Sequence, residues 1–568
     1  MKERKMVNLN SGYQSNLKYW LTCIIGIVAI LAIIVVGGFY SAKPYLDNFV
    51  RQEIAHRSIK AETSEVSILG KVNLKNVILP VQAGTSLKIG AISARPPLSF
   101  IPGTFTLYNV DLKHNNLHLQ IPQISLRRVF LKKQDKTIAS HLLQTMMRIE
   151  LSSIIAPNIK FSIENKNKRI ETIEVTNFQL SDLRNGHIRS VSIKNMDLKT
   201  NVVNGAKQMQ LMAKSDIIKA HDIDINYAYS IIFGKNNALN QAKAVTGPIS
   251  LNNLRVDIFE EAEKNSSLFL GQFKTSGLKM KLLEQTPEKL IKAYFNAKKE
   301  KNKIAEKIAQ NGSLLNILLA IASADAKVNN ITIDSPQLKA TLESFQLKPS
   351  LWKQPIPKKL FVSLKNLSIL PKKMHEKNLE FFKNLNLEHF NISGKIDISY
   401  DEKKRILFLD AMSFNMKDVG SANISAKIID VDEKLFSGQK DVMIAASQNL
   451  GINEIDIQYR DAGFIDKLFS YLAQNLNDSK HDLKKELYDD FYLMMTQSPK
   501  ILLKNYDAAE KISKSLGEFA KNPQTLIIKI KAKDQKGLTM INLESALQND
   551  LSKALSNVDL IIKNEVSS

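Results

Sequence analysis

Nine histidines, one cysteine and 56 Asp and Glu residues are the groups in this 568-residue chain that could ligate a metal, carry a proton or attack an electrophile. The closest histidines are His114 and His118. On a helix that spacing would bring both rings to one face, as a metal site needs. Here Asp111 to Ile121 alternates like a strand, so the rings are expected about 13 Å apart. His221-Asp222-Ile223-Asp224 has the composition of a metal cluster. It reads better as a turn entering a strand over Ile223–Tyr227. His375-Glu376 lacks the second histidine of a helical zinc motif. Asp401-Glu402 and Asp489-Asp490 fall in an expected turn and on an expected charged helix face. The sequence contains no P-loop, no Gly-x-Gly-x-x-Gly after a strand and no Gly-x-Ser-x-Gly elbow. It therefore predicts no catalytic residue, no cofactor-binding residue and no metal site, and a protein that is not an enzyme.

The single cysteine, Cys23, lies in an apolar run. The rest of the chain can form no disulfide, no thiolate-ligated zinc and no thiol nucleophile. A bacterial envelope protein fits that composition better than a eukaryotic secreted one. The net charge is +23. A basic surface attracts anionic partners such as lipid headgroups or nucleic acid, although compositional drift toward lysine and asparagine would give the same excess. The basic residues are scattered and aromatic residues do not interleave with them, so nucleic acid is not expected.

No charged residue occurs from Tyr19 to Tyr40. A helix needs about 20 apolar residues to cross a bilayer. Tyr19, Trp20, Phe39 and Tyr40 flank the run, where aromatic rings favour headgroups. Val36-Gly37-Gly38 is a poor signal-peptidase site, so an uncleaved anchor is expected. Lys2, Arg4, Lys5 and Lys18 precede the run, while Lys43, Arg51, Arg57 and Lys60 follow it closely. The short tail is placed in the cytoplasm and the long region in the periplasm, because long domains translocate largely regardless of charge.

One pattern recurs beyond the anchor: apolar-x-apolar-x-Asn-apolar-x-apolar. It appears at Val72–Leu79, Phe105–Leu112, Ile173–Leu180, Val191–Leu198, Ile249–Val256 and Val362–Ile369. Alternation at period two makes a strand with one buried face, and the shift at asparagine predicts a β-bulge that bends it. Further alternating runs are Leu117–Ile121, Ile159–Ile163, Ile331–Ile333, Ile392–Ile398, Ile424–Ile428 and Ile455–Tyr459. Most connections are too short for crossover helices, so antiparallel pairing is expected.

Helical spacing marks Pro287 to about Ala324 and Ala462 to Lys521, with shorter helices at Ile138–Ile149 and Lys377–Leu385. Asn522-Pro523 ends the long helical stretch, and Leu526–Ile530 returns to strand. The expected class is α+β: one N-terminal transmembrane helix, then a large region of curved antiparallel sheet with two helical segments. The expected divisions are a basic tail 1–18, a transmembrane helix 19–40, a helical stalk 41–57 and a first β-rich region 58–281. A helical insertion 282–326, a second β-rich region 327–460, a helical segment 461–522 and closing strands 523–568 follow.

A basic tail, one anchor and strands of the Val72–Leu79 and Val362–Ile369 type resemble the AsmA-like and YdgA-like envelope proteins of Gram-negative bacteria. The resemblance implies a bacterial inner-membrane protein with a periplasmic curved sheet. In AsmA-like and TamB-like proteins such a sheet forms an apolar groove tied to lipid transport and outer-membrane biogenesis. The stretch Arg460–Leu468, with the helices after it, is similar to the C-terminal part of uncharacterised alphaproteobacterial membrane proteins. The implied partners are the membrane, crossed once, with phospholipid or another anionic lipid, or envelope proteins. The expected function is lipid handling or outer-membrane biogenesis through an apolar β-sheet groove. A scaffold binding partners through sheet edges or the C-terminal helices is the alternative, and an unseen carboxylate hydrolase is a third reading.

Overall fold

The computed structural model describes most residues from 44 to 565, outside 80–84, 96–102, 132–148, 165–169, 234–241, 283–320, 351–356, 373–382, 476–482, 540–554 and some shorter stretches. The expected transmembrane helix 19–40 lies outside the described residues, as do nearly all of the expected helices at 287–324 and 138–149 and most of the one at 377–385. No described helix is long and apolar enough to cross a membrane. The described residues form two compact units, one up to Arg184 and one from Asn185 onward.

The first unit holds β1 (Thr63–Val66), β2 (Val72–Leu79), β3 (Thr85–Arg95), β4 (Thr104–His114), β5 (Leu117–Arg127), β6 (Phe130–Leu131), β7 (Ile149–Glu164) and β8 (Ile170–Arg184). Each strand from β1 to β5 pairs antiparallel with the next, and β5, β7 and β8 continue the meander. Its core lies on one face, around Leu74, Val77, Ile89, Val110, Ile121 and Ala156. The described residues of 44–56 are helical, and Val50 and Ile54 from that stalk pack against this core.

The recurring asparagine takes a specific conformation. Asn76, Asn109 and Asn177 have φ of 49°, 53° and 50°. This is the left-handed region, which asparagine tolerates and β-branched residues do not. Lys75 faces Ala91 and Val77 faces Ile89, which leaves Asn76 opposite Gly90. The next pairing places Gly90 opposite Asn109 as well, and the one after places Asn109 opposite Pro122. Two strands on, Pro157 stands opposite Asn177. Proline donates no hydrogen bond, so it fits where the ladder opens. A Cβ on Gly90 would lie 3.1 Å from the Asn109 Cβ, so the left-handed asparagine needs a small neighbour.

Side-chain parity reverses along this whole row. Leu74 and Val77, Ile89 and Ile92, Leu107 and Val110, and Ile121 and Ile124 all reach the same core although three residues apart. The expected bulge is therefore corrected here. Register runs unbroken through the row between these strands, so neither strand carries an extra residue. The left-handed asparagine turns the chain, and the neighbouring strands reverse with it.

The second unit begins with β9 (His187–Ile193), β10 (Asn195–Asn204), β11 (Lys207–Ser215) and β12 (Ile217–Asp224). These make one long hairpin interrupted at Lys194 and Asp216, with β9 on β12 and β10 on β11. At Val191–Leu198 the strand is interrupted at Lys194, and Asn195 is not left-handed, so this copy does not behave as expected. Then come α1 (Ile225–Phe233), β13 (Lys243–Thr246), β14 (Ile249–Glu260), β15 (Glu263–Thr275), β16 (Leu278–Met280), β17 (Ile321–Ala324), β18 (Ala326–Asp334), β19 (Leu338–Ser350), β20 (Lys359–Pro371), β21 (Phe390–Asp401), β22 (Ile406–Met416) and β23 (Gly420–Ile429). After these come α2 (Lys440–Ser447), β24 (Gly451–Asp461), α3 (Phe464–Asn475), α4 (Leu483–Leu502), α5 (Tyr506–Lys521), β25 (Thr525–Ala532), β26 (Leu538–Thr539) and β27 (Val558–Glu565). An antiparallel meander runs from β14 through β15 and from β18 to β25, and ends on β27. β13, β16 and β17 form a small separate sheet.

Here too the asparagines line up. Asn253 (φ 52°) stands opposite Gly271, Gly271 opposite Asn330 (φ 55°), Asn330 opposite Glu343, and Glu343 opposite Asn366 (φ 50°). Asn253 donates to Asp216 at 2.7 Å and Asn366 to Glu343 at 2.5 Å. Asn330 belongs to a further copy of the pattern, Ala326–Ile333, which contains the alternating run Ile331–Ile333. Between β20 and β21 the register does shift, so a bulge is present beside Asn366.

Two further secondary-structure expectations fail in the second unit. The strand expected over Ile223–Tyr227 ends at Asp224, whose carboxylate accepts from the Tyr227 N–H at 2.9 Å and caps α1. Ile321–Ala324, expected as the end of a helix, is strand β17. The long helical stretch near 462–521 forms as three helices, and β25 follows it as expected.

Candidate functional site

The most distinctive surface of the second unit is one face of its sheet, and its apolar character follows from register. Across neighbouring strands Leu347 faces Val362, then Ile396, Met412, Ile424, Ile457, Ile528 and Ile562. The adjoining row runs Phe345, Leu364, Gly394, Phe414, Ala422, Tyr459 and Leu526. The opposite face carries the charges, with Lys395 paired to Asp397 at 3.3 Å and Lys529 to Asp456 at 2.8 Å. An antiparallel sheet with one dry and one wet face normally buries the dry one.

Burial is incomplete on this sheet. Phe519 of α5 meets the Tyr459 ring edge-on at 6.2 Å and covers the β24–β25 side. Burial pushes the Tyr459 hydroxyl above its usual pKa, and it donates to Asp461 at 3.0 Å. At the strand ends, Tyr400 is buried against Phe436 at 4.8 Å, and its hydroxyl donates to the Val431 carbonyl at 2.9 Å. Lys358, 4% exposed, sits 5.2 Å above the same ring. Its ammonium bonds Glu402 at 2.8 Å and also Glu433. Burial alone would lower the Lys358 pKa, but the two carboxylates win and hold it above the ordinary value. Between these covers, Met412 is 47% and Phe414 45% exposed. Gly394 beside Phe414 adds no side chain to the row, so the surface dips there.

The polar candidates separate. His114 and His118 do not share a strand: a turn at Asn115-Asn116 puts them on β4 and β5. His118 faces Lys113 and lies 3.1 Å from Asp111. Burial would raise the Asp111 carboxyl, but His118 holds it below its usual pKa. Two adjacent asparagines, a turn signal, could have revealed this hairpin. His221 and Asp222 lie within β12, with Asp222 left-handed at φ 50°. Asp401 closes its own turn by accepting from the Lys403 and Lys404 N–H groups, each at 3.1 Å. Glu402 is committed to Lys358, and Asp489 and Asp490 are exposed on α4. His375-Glu376 lies outside the described residues. Among the described residues no group of three or more His, Cys, Asp or Glu could hold a metal.

A second apolar exposure lies on α4. Leu493, Met494, Ile501 and Leu502 are 51%, 54%, 81% and 62% exposed. Comparison with known proteins adds one match: a family model described only as an uncharacterised protein covers residues 413–565. That span runs from β22, including Phe414, through the helices α3 to α5, to β27. No curated protein matches the chain.

Proposed function

We propose that this chain is a membrane-anchored periplasmic envelope protein that handles lipid through the open part of its apolar sheet face. The observation that carries the reading is the exposure of Met412 and Phe414 in the middle of two adjoining rows that carry no charged side chain on any strand from β19 to β25. Acyl chains need such a surface: each buried methylene contributes about 0.8 kcal/mol, and the surface need offer no directional partner. Among the described polar candidates, Asp111 is held by His118, Asp401 by its own turn and Glu402 by Lys358. The net charge of +23 favours anionic headgroups as partners.

A scaffold reading is supported by a different observation, the exposed apolar residues of α4, which suit a partner helix or groove. One experiment separates the two. A benzophenone amino acid is placed at position 414 in the full chain, in its own membrane, and irradiated. Lipid adducts recovered by mass spectrometry are the expected result. Adducts to protein alone would move the assignment to a scaffold, and no adduct of either kind would mean that the strip is closed in the cell.

A further inference from the structure

We propose that two copies of this chain join edge to edge through β27, in one antiparallel register centred on Ile561. Among the described residues β27 pairs only with β25, and no described strand lies along its other edge. Eight residues long, it is a template that a second strand can extend. A twofold axis makes such a contact self-complementary, so the sequence of β27 must match its own reverse.

It does so in one register. With Ile561 on the axis, Asp559 faces Lys563 of the second copy and Lys563 faces its Asp559. Leu560 faces Ile562 on the opposite side of the sheet, again twice. Ile561, 46% exposed, faces itself. Both ion-pair partners are exposed. Asp559 makes only a 3.9 Å approach to Lys533, with side chains 67% and 54% exposed. Moving the axis to Ile562 places Asp559 opposite Glu565, two like charges. Moving it to Leu560 leaves Asp559 opposite Ile561 and forms no ion pair. The Ile561 and Ile562 registers pair the backbone equally and the Leu560 register pairs less of it, so directly opposed charges decide for Ile561.

The junction also has a consequence for the apolar face. Ile457, Ile528 and Ile562 lie on one rung. In the proposed register that rung continues into Leu560, Ile530 and Ile455 of the second copy. The two apolar faces become one surface across the axis. The dimer rests on the edge and its charges, not on the lipid reading, and either can fail alone.

The test uses the full chain in detergent, with Cys23→Ser to remove its only cysteine. Ile561→Cys is expected to form a disulfide dimer under mild oxidation, because directly opposed residues lie about 5 Å apart. Asp559→Cys alone is expected not to, because the two copies of position 559 stand about 13 Å apart. Mixing Asp559→Cys with Lys563→Cys is expected to restore the cross-link. Lys563→Glu should weaken dimerisation by about tenfold or more, from two like-charge contacts, and Asp559→Lys with Lys563→Glu should recover it. Equal cross-linking at 559 and 561, no cross-link at 561, or indifference to charge reversal would each overturn the proposal.

Discussion

Replacing both Met412 and Phe414 by serine tests the open strip directly. Phe414 is 45% and Met412 47% exposed. Large side chains of this kind bury roughly 150–250 Å² when fully covered, so the two together leave on the order of 150–200 Å² of apolar surface in water. At about 25 cal/mol per Å², covering that area with an acyl chain is worth at most ~4–5 kcal/mol. Ordering the chain and imperfect coverage reduce the realised part to about half, near 2 kcal/mol, or roughly thirtyfold in affinity. Stability should change little, because half of each side chain is wet already and the substitutions leave no sealed cavity. The assay is titration of a fluorescent fatty acid against residues 41–568, which keep Val50 and Ile54 over the first core, with thermal unfolding measured on the same samples. Unchanged affinity in a folded double variant would refute the assignment of lipid to this strip. Lost affinity with a large drop in melting temperature would show instead that these residues belong to a closed core.

Three further outcomes follow from the geometry. Asn330→Val should destabilise by about 1–2 kcal/mol, since a β-branched residue is strained at φ 55°, whereas Asn330→Gly should be nearly neutral. Gly271→Ala should also destabilise, because its Cβ would lie 2.9 Å from the Asn330 Cβ; the double variant Gly271→Ala/Asn330→Gly should lose less than the sum, read by denaturant unfolding. Lys358→Met keeps the stem over Tyr400 but leaves Glu402 and Glu433 facing each other without their cation. It should cost about 1–2 kcal/mol, less than a fully buried pair, because both carboxylates are more than 40% exposed. Asp325 accepts from the Ser276 N–H at 2.6 Å, the Ser276 hydroxyl at 2.7 Å and the Thr275 hydroxyl at 3.0 Å. Burial would raise its pKa, but these hydrogen bonds hold it below the ordinary value. Its contribution is therefore present above the unfolded pKa of about 3.9 and lost as pH falls through the folded one. Asp325→Ala should flatten the acid limb of the stability profile while lowering stability at neutral pH; an unchanged acid limb would contradict it.

Much of the local structure was legible in the residues. Asparagine at the fifth position of the repeated pattern announced an abrupt change of side-chain parity, and five of the six quoted copies place it left-handed. That preference belongs to the residue and its neighbours along the chain, so sequence alone carries it. The three C-terminal helices and the return to strand at β25 were legible for the same reason: helical spacing, and a proline after the last turn. The hairpin between His114 and His118 was missed because continuous alternation on both sides of Asn115-Asn116 masked a two-residue turn.

Other features were settled only by tertiary structure. Nothing local says that Asn76 must stand opposite Gly90, or Asn253 opposite Gly271, because register couples residues many positions apart. The openness of Met412 and Phe414 is decided in the same way. Their apolar neighbours are in the sequence, but exposure depends on where Phe519 and Phe436 come to rest. Those contacts join segments separated by long stretches of chain, where packing and loop closure, not local preference, fix the outcome.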